Sequence, residues 1–344
     1  MGIIVLNSGM KTTIQDRGRY GYQSSGFSVS GVMDRRSATL ANFLVGNEPG
    51  EPVIEFVLTG PEISFTKDTI IALTGGDFHP RVNGNPVENY CAIEIRKGDR
   101  LSLPFAKTGS YGYLAIANGL EIEKIMGSFS TNTRVHIGGF KGRPLENGDS
   151  IPFARSRKQD ENALVRRMKP EVFEETKVEL RVVLGPEEDS FTKKGIETFL
   201  SNEYTLTSQI DRMGYRLEGE EIEHKSSADI ITNGIAFGAV QVPAHGNPII
   251  MLADRQTTGG YTKIANIISV DIYKLVQLRE GDSVTFSEVS PEEAQRIYKS
   301  EIEKWNKTKE KIEQRVQRKG FKRAAAQRIA SLYEGGSYGY RKDH

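Results

Sequence analysis

The chain has 344 residues, 37% of them hydrophobic and 26% charged, with a formal net charge of +1. That size suits two domains with a sizeable core, and the near-neutral balance argues against nucleic acid as the main partner. No apolar run approaches the roughly 18 residues of a membrane helix, and the single cysteine, Cys91, excludes an internal disulfide or a thiolate metal cluster and suits a reducing cytosol.

The N-terminal run Ile3-Ile4-Val5-Leu6 has no basic flank and reads as a first strand, not a signal peptide. Asp34 is placed as an N-cap, with Ala38, Ala41, Leu44 and Val45 at helical spacing and Gly46 to end the helix. Short β-branched runs follow at 54–58, 69–73 and 113–117, and again at 178–184, 249–252 and 267–270. The apolar or small neighbours of Cys91 mark it as a core residue.

A turn motif occurs three times: Lys97-Gly98-Asp99, Asn147-Gly148-Asp149 and Glu280-Gly281-Asp282, each ahead of an alternating apolar run. Gly tolerates the positive φ of a tight turn and Asp bonds back to its backbone. The first and last copies close similar stretches, which suggests related β domains in tandem. The polar stretch 155–162 and Arg166-Arg167-Met168-Lys169-Pro170 read as a boundary, giving domains at 1–165 and 176–289.

Residues 290–344 form a basic tail, with 14 Lys and Arg against 8 Asp and Glu from 291 onward. Pro291, Glu292 and Glu293 suit a helix start. Tyr298, Ile302, Trp305, Ile312 and Val316 make a thin apolar stripe over a predicted helix at 291–319, and 320–344 are expected to be poorly ordered.

No P-loop, dinucleotide fingerprint, zincin motif or nucleophile elbow occurs. The five histidines, His79, His136, His224, His245 and His344, are far apart, and no metal ligand set is expected. Two segments are dense in Gly, amide and carboxylate. One runs from Thr13 through Gln15, Asp16, Arg17, Arg19, Ser30, Gly31 and Asp34 to Asn42; the other runs from Gly238 through Gln241 and Pro243 to Asp254 and Tyr261. Gly-rich backbone lets N–H groups approach a ligand. Two readings are open, a pocket rim or complicated turns whose polar groups satisfy one another.

At these residues the chain resembles the allophanate hydrolase subunit 2 family, also called the biotin-dependent carboxyltransferase family. The resemblance rests on Thr13-Ile14-Gln15-Asp16-x-Gly-Arg-x-Gly, on Ser30-Gly31-Val32-Met33-Asp34 and on Ala41-Asn42-Phe43-Leu44-Val45-Gly46-Asn47. It continues in Glu55 with Gly60-Pro61, in Gly138-Gly139-Phe140-x-Gly142-Arg143-Pro144-Leu145, and in Asp211-Arg212-Met213-Gly214. The most specific part is Gly238-x-x-Gln241-Val242-Pro243 with Asp254-x-Gln256-Thr257-Thr258-Gly259-Gly260-Tyr261. The match covers about residues 3–287 and leaves the basic tail outside.

The resemblance implies a mainly β fold of two tandem cyclophilin-like β-barrel domains with a few short helices, followed by the charged C-terminal helix. For a stand-alone chain it implies the C-type component of a cytoplasmic ATP-dependent 5-oxoprolinase, a lactam hydrolase active only with separate A and B subunits. ATP with Mg2+ is then expected at the level of the complex, phosphorylating the amide oxygen before hydrolysis to glutamate. Two alternatives stay open. One is a non-catalytic regulator of a kinase-inhibitor-type B subunit. The other is a carboxyltransferase for a urea-like substrate, with biotin arriving on another protein because no Met-Lys-Met attachment motif is present.

An amide substrate needs an acceptor for its N–H and donors for its oxygen. The implied catalytic residues are Asp254, Asn42 and Glu55. Gln241, Gln256, Thr257, Thr258, Gly259, Gly260, Tyr261 and Asp34 are the candidates for substrate contact. Arg17, Arg19, Arg212 and Arg255 are placed to offset phosphate charge, or to make structural pairs with carboxylates. The residues Arg255-Gln256-Thr257-Thr258 between Asp254 and Gly259-Gly260 differ from the urea-type pattern and favour the oxoprolinase type.

Overall fold

The computed structural model describes residues 2–154 and 164–334, with side chains in the last helix as far as Glu313. The stretch 155–163, where a polar linker was expected, and the last ten residues lie outside the described residues.

The repeated Gly-Asp turns behave as their chemistry requires. Gly98, Gly148 and Gly281 take φ of 94°, 89° and 86°. Asp99, Asp149 and Asp282 then accept from the backbone N–H three residues earlier, on Arg96, Glu146 and Arg279, at 2.7, 2.8 and 2.8 Å. A strand opens directly after each turn, at Arg100–Ser102, Ser150–Pro152 and Ser283–Glu288.

The expected mainly β fold forms, with four α-helices among the described residues. N-terminal strands build two sheets. A six-stranded sheet runs in the order Ser150–Pro152, Gly2–Asn7, Glu62–Phe65, Arg100–Ser102, Arg81–Val82, Asn85–Pro86. A five-stranded sheet runs Thr12–Gln15, Val53–Val57, Thr108–Ile116, Thr69–Asp77, Ala92–Ile95. C-terminal strands close a seven-stranded barrel, in which the first strand, Lys177–Leu184, lies parallel to the last, Ser283–Glu288.

The central strands of the five-stranded sheet are buried on both faces, and their side chains alternate between two cores. Ile71, Leu73, Leu114 and Ile116 point into the core shared with the six-stranded sheet. Ile70, Ala72, Tyr113 and Ala115 join a second core that continues through the helix Arg35–Val45 (α1) into the barrel. That continuity holds the two halves together. Arg279 adds to it by donating to the carbonyls of Ala106 and Gly109 at 2.8 and 2.6 Å.

Helix α1 has the expected limits. The Asp34 side chain accepts from the Ser37 N–H at 2.9 Å, and Gly46 ends the helix in the left-handed conformation with φ of 81°. Two short helices follow, Lys193–Ser201 (α2) and Ile272–Val276 (α3).

Two expectations are corrected. The segment read as a linker is paired at its start: Ala92 N–H donates to the Arg166 carbonyl at 3.0 Å and Met168 N–H to the Tyr90 carbonyl at 2.9 Å. The edge strand Ala92–Ile95 has open backbone groups that this segment satisfies. The C-terminal helix (α4) runs from Pro291 to Glu334 and so includes residues expected to lack order. The run after Gly320, Phe-Lys-Arg-Ala-Ala-Ala-Gln-Arg-Ile-Ala-Ser-Leu-Tyr, is made largely of strong helix formers. One interior Gly costs only about 1 kcal/mol against Ala and does not stop it.

Candidate functional site

Helix α1 begins with two arginines, Arg35 and Arg36, where the positive end of the helix dipole disfavours cations. Both are held by interactions outside the helix. Arg36 pairs with Glu171 and with Glu301 of α4, each at 2.6 Å, and its guanidinium lies over the rings of Tyr273 and Trp305 at 4.9 and 5.8 Å. Burial opposes its charge, but Glu171 and Glu301 outweigh that and raise Arg36 above the ordinary arginine range. Phe43 meets Trp305 edge-on with ring centroids 6.2 Å apart, and Lys309 lies over Phe43 at 5.6 Å.

These contacts seat α4 across a cavity of about 590 Å³. That volume lies in the range of small-molecule sites. Helix α1 lines it with Arg35, Thr39 and Asn42, and the Thr13–Gly21 segment contributes Asp16, Arg17 and Tyr20. Phe237 and Tyr273 line the barrel side, and Tyr298, Glu301, Trp305 and Lys309 come from α4. Much of the lining is aromatic or apolar, with a few charged groups to orient a ligand.

The structure divides the residues singled out from sequence. Asn42 and Arg17 reach the cavity. Asn42 is buried on α1, donates to the Glu51 carbonyl at 2.9 Å and accepts from Asn47 at 3.0 Å. Asp16 also lines the cavity, but its carboxylate is fully engaged. It accepts from Ser128 and from the N–H groups of Phe129 and Gly18, at 2.7 to 2.8 Å. Arg19 is buried and donates to the carbonyls of Ile125 and Ser130, so its role is to brace the loop at 125–130.

Asp254 and Glu55 come together, but not in the cavity. Buried Arg212 bridges them, donating to Asp254 at 2.8 and 3.2 Å and pairing with Glu55 through Nη1. Glu55 also accepts from the Met33 N–H at 2.8 Å and from the Tyr113 hydroxyl at 2.9 Å. Burial pushes Glu55 up from the ordinary carboxylate range despite Arg212. Burial opposes the Arg212 charge, but Asp254 and Glu55 outweigh it and raise Arg212. Asp34 takes part nearby: its N–H donates to Tyr113 and its carboxylate accepts from Gln277 of the barrel half at 3.0 Å. Burial raises Asp34 also.

The segment from Gln256 to Tyr261 does not line the cavity. Thr258–Tyr261 pairs with Asp229–Gly234 as a two-stranded ribbon, where Gln256, Thr258 and Tyr261 are exposed. Gln241 is buried beside Gly259, and its Nε2 has no partner among the described residues. Thr257 and Gly260 are half-buried along the same stretch.

Sequence reading missed Arg35, Arg36, Phe237, Tyr273 and the α4 side chains. The one local signal was the pair of arginines at a helix start with no acidic residue in the first turn. Among the described residues no group of three His, Cys, Asp or Glu side chains could hold a metal ion. No described helix is long and apolar enough to cross a membrane.

Comparison with known proteins agrees with this architecture. The family model for the carboxyltransferase domain, subdomain A and B, matches residues 25–288. The chain is 37% identical over 290 residues to the 5-oxoprolinase C subunit of Escherichia coli, covering 84% of this chain and 92% of that protein. It is 31% identical over 313 residues to urea amidolyase of Saccharomyces cerevisiae, where the match covers 85% of this chain but 17% of that protein. The crystal structure of the K. lactis urea amidolyase superposes with a TM-score of 0.82 at 27% identity, over 89% of this chain and 20% of that one. By the extent of the family match and by these relatives, the chain belongs to the carboxyltransferase domain family, subdomain A and B.

Proposed function

We propose that the chain is the C-type component of an ATP-dependent 5-oxoprolinase, working with separate A and B subunits to open 5-oxoproline to glutamate. One observation carries this reading. The correspondence with the E. coli protein runs almost the full length of that relative. The cavity beside α1 is the proposed place for the substrate. Its size suits a five-membered lactam. Arg17 and Lys309 are donors for a carbonyl or carboxylate oxygen, and Glu51 is an acceptor for an amide N–H.

In this reading ATP with Mg2+ acts at the level of the assembled complex, and no step is routed through it. The buried Glu55–Arg212–Asp254 bridge serves as a positioning element. It fixes the loop around Gly31 ahead of α1, since Arg212 also donates to the Gly31 carbonyl at 2.6 Å.

The similarity to urea amidolyases favours a second reading, carboxyl transfer to a urea-like amide from biotin carried on another protein. The deciding experiment measures 5-oxoproline-dependent ATP hydrolysis and glutamate release by the three subunits together and with each omitted. Activity that requires this chain supports the oxoprolinase reading. A folded, verified complex without activity overturns it and moves carboxyl transfer ahead.

A further inference from the structure

Arg36, Arg143, Arg181 and Arg212 each have a carboxylate within ion-pair distance. Arg35 and Arg255 do not: neither forms an ion pair with a described residue, yet both lie over the ring of Phe237, at 4.9 and 5.7 Å from its centroid. Arg255 is 9% exposed. Its Nε and Nη1 donate to the carbonyls of Ile235 and Leu252, while Nη2 donates to no described residue. Arg35 is exposed and donates to the Tyr20 hydroxyl at 2.6 Å. Arg35, Tyr20, Phe237 and Arg17 all line the cavity.

A buried cation next to a second cation is costly unless an anion joins them. Burial, and then Arg35, lower Arg255 to about 10. No described residue forms an ion pair with either guanidinium; Arg35 and Phe237 line the cavity, and Arg255 packs behind them against Phe237. Guanidinium groups bind carboxylate and phosphoryl oxygens through charge-assisted hydrogen bonds.

We propose that Arg35 and Arg255, gathered over Phe237, form an oxyanion seat that holds the carboxylate of an anionic amide and selects it over a neutral amide such as urea. The substrate's identity rests on the oxoprolinase reading above; the seat itself does not. Phe237 lies against both guanidiniums, which leaves Nη2 of Arg255 and Nε and Nη1 of Arg35 as the donors for the ligand.

The chain contains one tryptophan, Trp305, and it lines this cavity, so its emission reports occupancy. The full chain is titrated with 5-oxoproline, with 2-pyrrolidinone (the same lactam without its carboxylate) and with inorganic phosphate. Equilibrium dialysis with labelled 5-oxoproline checks the affinity independently. The expected result is saturable binding of 5-oxoproline at least about tenfold tighter than of 2-pyrrolidinone, with phosphate competing. Arg35 is exposed, so Arg35→Gln leaves the fold intact. It should weaken 5-oxoproline and phosphate about tenfold and leave 2-pyrrolidinone unchanged.

Equal binding of the two lactams overturns the proposal, as does anion binding that Arg35→Gln does not weaken. Phosphate binding without 5-oxoproline binding overturns the carboxylate assignment and points to a phosphoryl ligand. If selective 5-oxoproline binding is found but the complex shows no turnover, the seat stands and the oxoprolinase reading falls.

Discussion

Arg212 and Asp254 are joined twice: the Arg212 side chain donates to the Asp254 carboxylate at 2.8 Å, and the Asp254 N–H donates to the Arg212 carbonyl at 2.7 Å. With Glu55 on the other side of the guanidinium, one cation serves two carboxylates at the junction between the sheets and the barrel. Arg212→Met leaves both carboxylates buried without a cation. The expected loss is about 3–5 kcal/mol in urea unfolding at neutral pH. Glu55, already raised by burial, loses the cation that holds it down and should titrate higher still in the folded state. The loss therefore grows as pH rises from the unfolded carboxylate value toward the raised folded value of Glu55 and shrinks in acid. A variant that loses under about 1 kcal/mol at neutral pH, or shows no such pH trend, would contradict the bridge.

Asp149 offers the opposite sign. Arg143 holds it below the ordinary carboxylate range through paired contacts at 2.7 and 2.8 Å, helped by the Glu146 N–H. Its stabilising contribution is present above the unfolded value of about 4 and is lost as pH falls through the depressed folded value. Asp149→Asn should lower stability at about pH 6 and flatten the acid limb of the stability profile, read by urea unfolding between about pH 3 and pH 6. An unchanged acid limb would show that the turn does not depend on the ion pair.

The latch between α1 and α4 is testable with the same tryptophan. Glu301→Gln removes one of the two carboxylates on Arg36 while keeping the side-chain shape. The expected outcome is a red shift of Trp305 emission with little change in global stability, because the pair is partly exposed and such pairs contribute about 1 kcal/mol or less. An unshifted spectrum would mean that aromatic packing alone seats the helix.

Gly138 tests the loop that Arg19 braces. Its φ is 71°, and an added Cβ would lie 2.1 Å from the Ser130 carbonyl oxygen and 2.7 Å from Arg19 Nη2. Gly138→Ala should destabilise the protein by more than about 1 kcal/mol, since both the conformation and the space are wrong for a side chain. Thermal unfolding of this variant beside Gly148→Ala separates the effects. Gly148 also has a positive φ, but nothing lies within 4 Å of its added Cβ. Equal losses would remove the steric part of the argument.

Local chemistry made some elements legible from sequence. Asp34 and Gly46 mark the ends of α1, and Gly98, Gly148 and Gly281 with their aspartates mark three strand starts, because each acts within a few residues. Cys91, read as a core residue, is buried, with its Sγ 3.3 Å from the Glu88 carbonyl. The site was less legible. Asn42 and Arg17 lie where the motifs pointed, but Asp254 has its carboxylate turned to Arg212, away from the cavity. Arg35 and Phe237 stand about 200 residues apart in the chain, and Arg36 and Glu301 even further. No periodicity or spacing encodes such pairs. They depend on how the barrel returns the chain toward α1.

The parallel pairing of Lys177–Leu184 with Ser283–Glu288 also governs the order of assembly. The barrel's first strand finds its neighbour only after the intervening hundred or so residues have been made. Until then it presents an open, hydrogen-bonding edge. Contacts between such distant segments form slowly. During synthesis the N-terminal sheets can condense early, while the barrel waits for its closing strand. Helix α4 follows that strand directly, so the wall of the cavity falls into place last, and a chain cut short before Ser283 is left with an unsealed sheet prone to joining its neighbours.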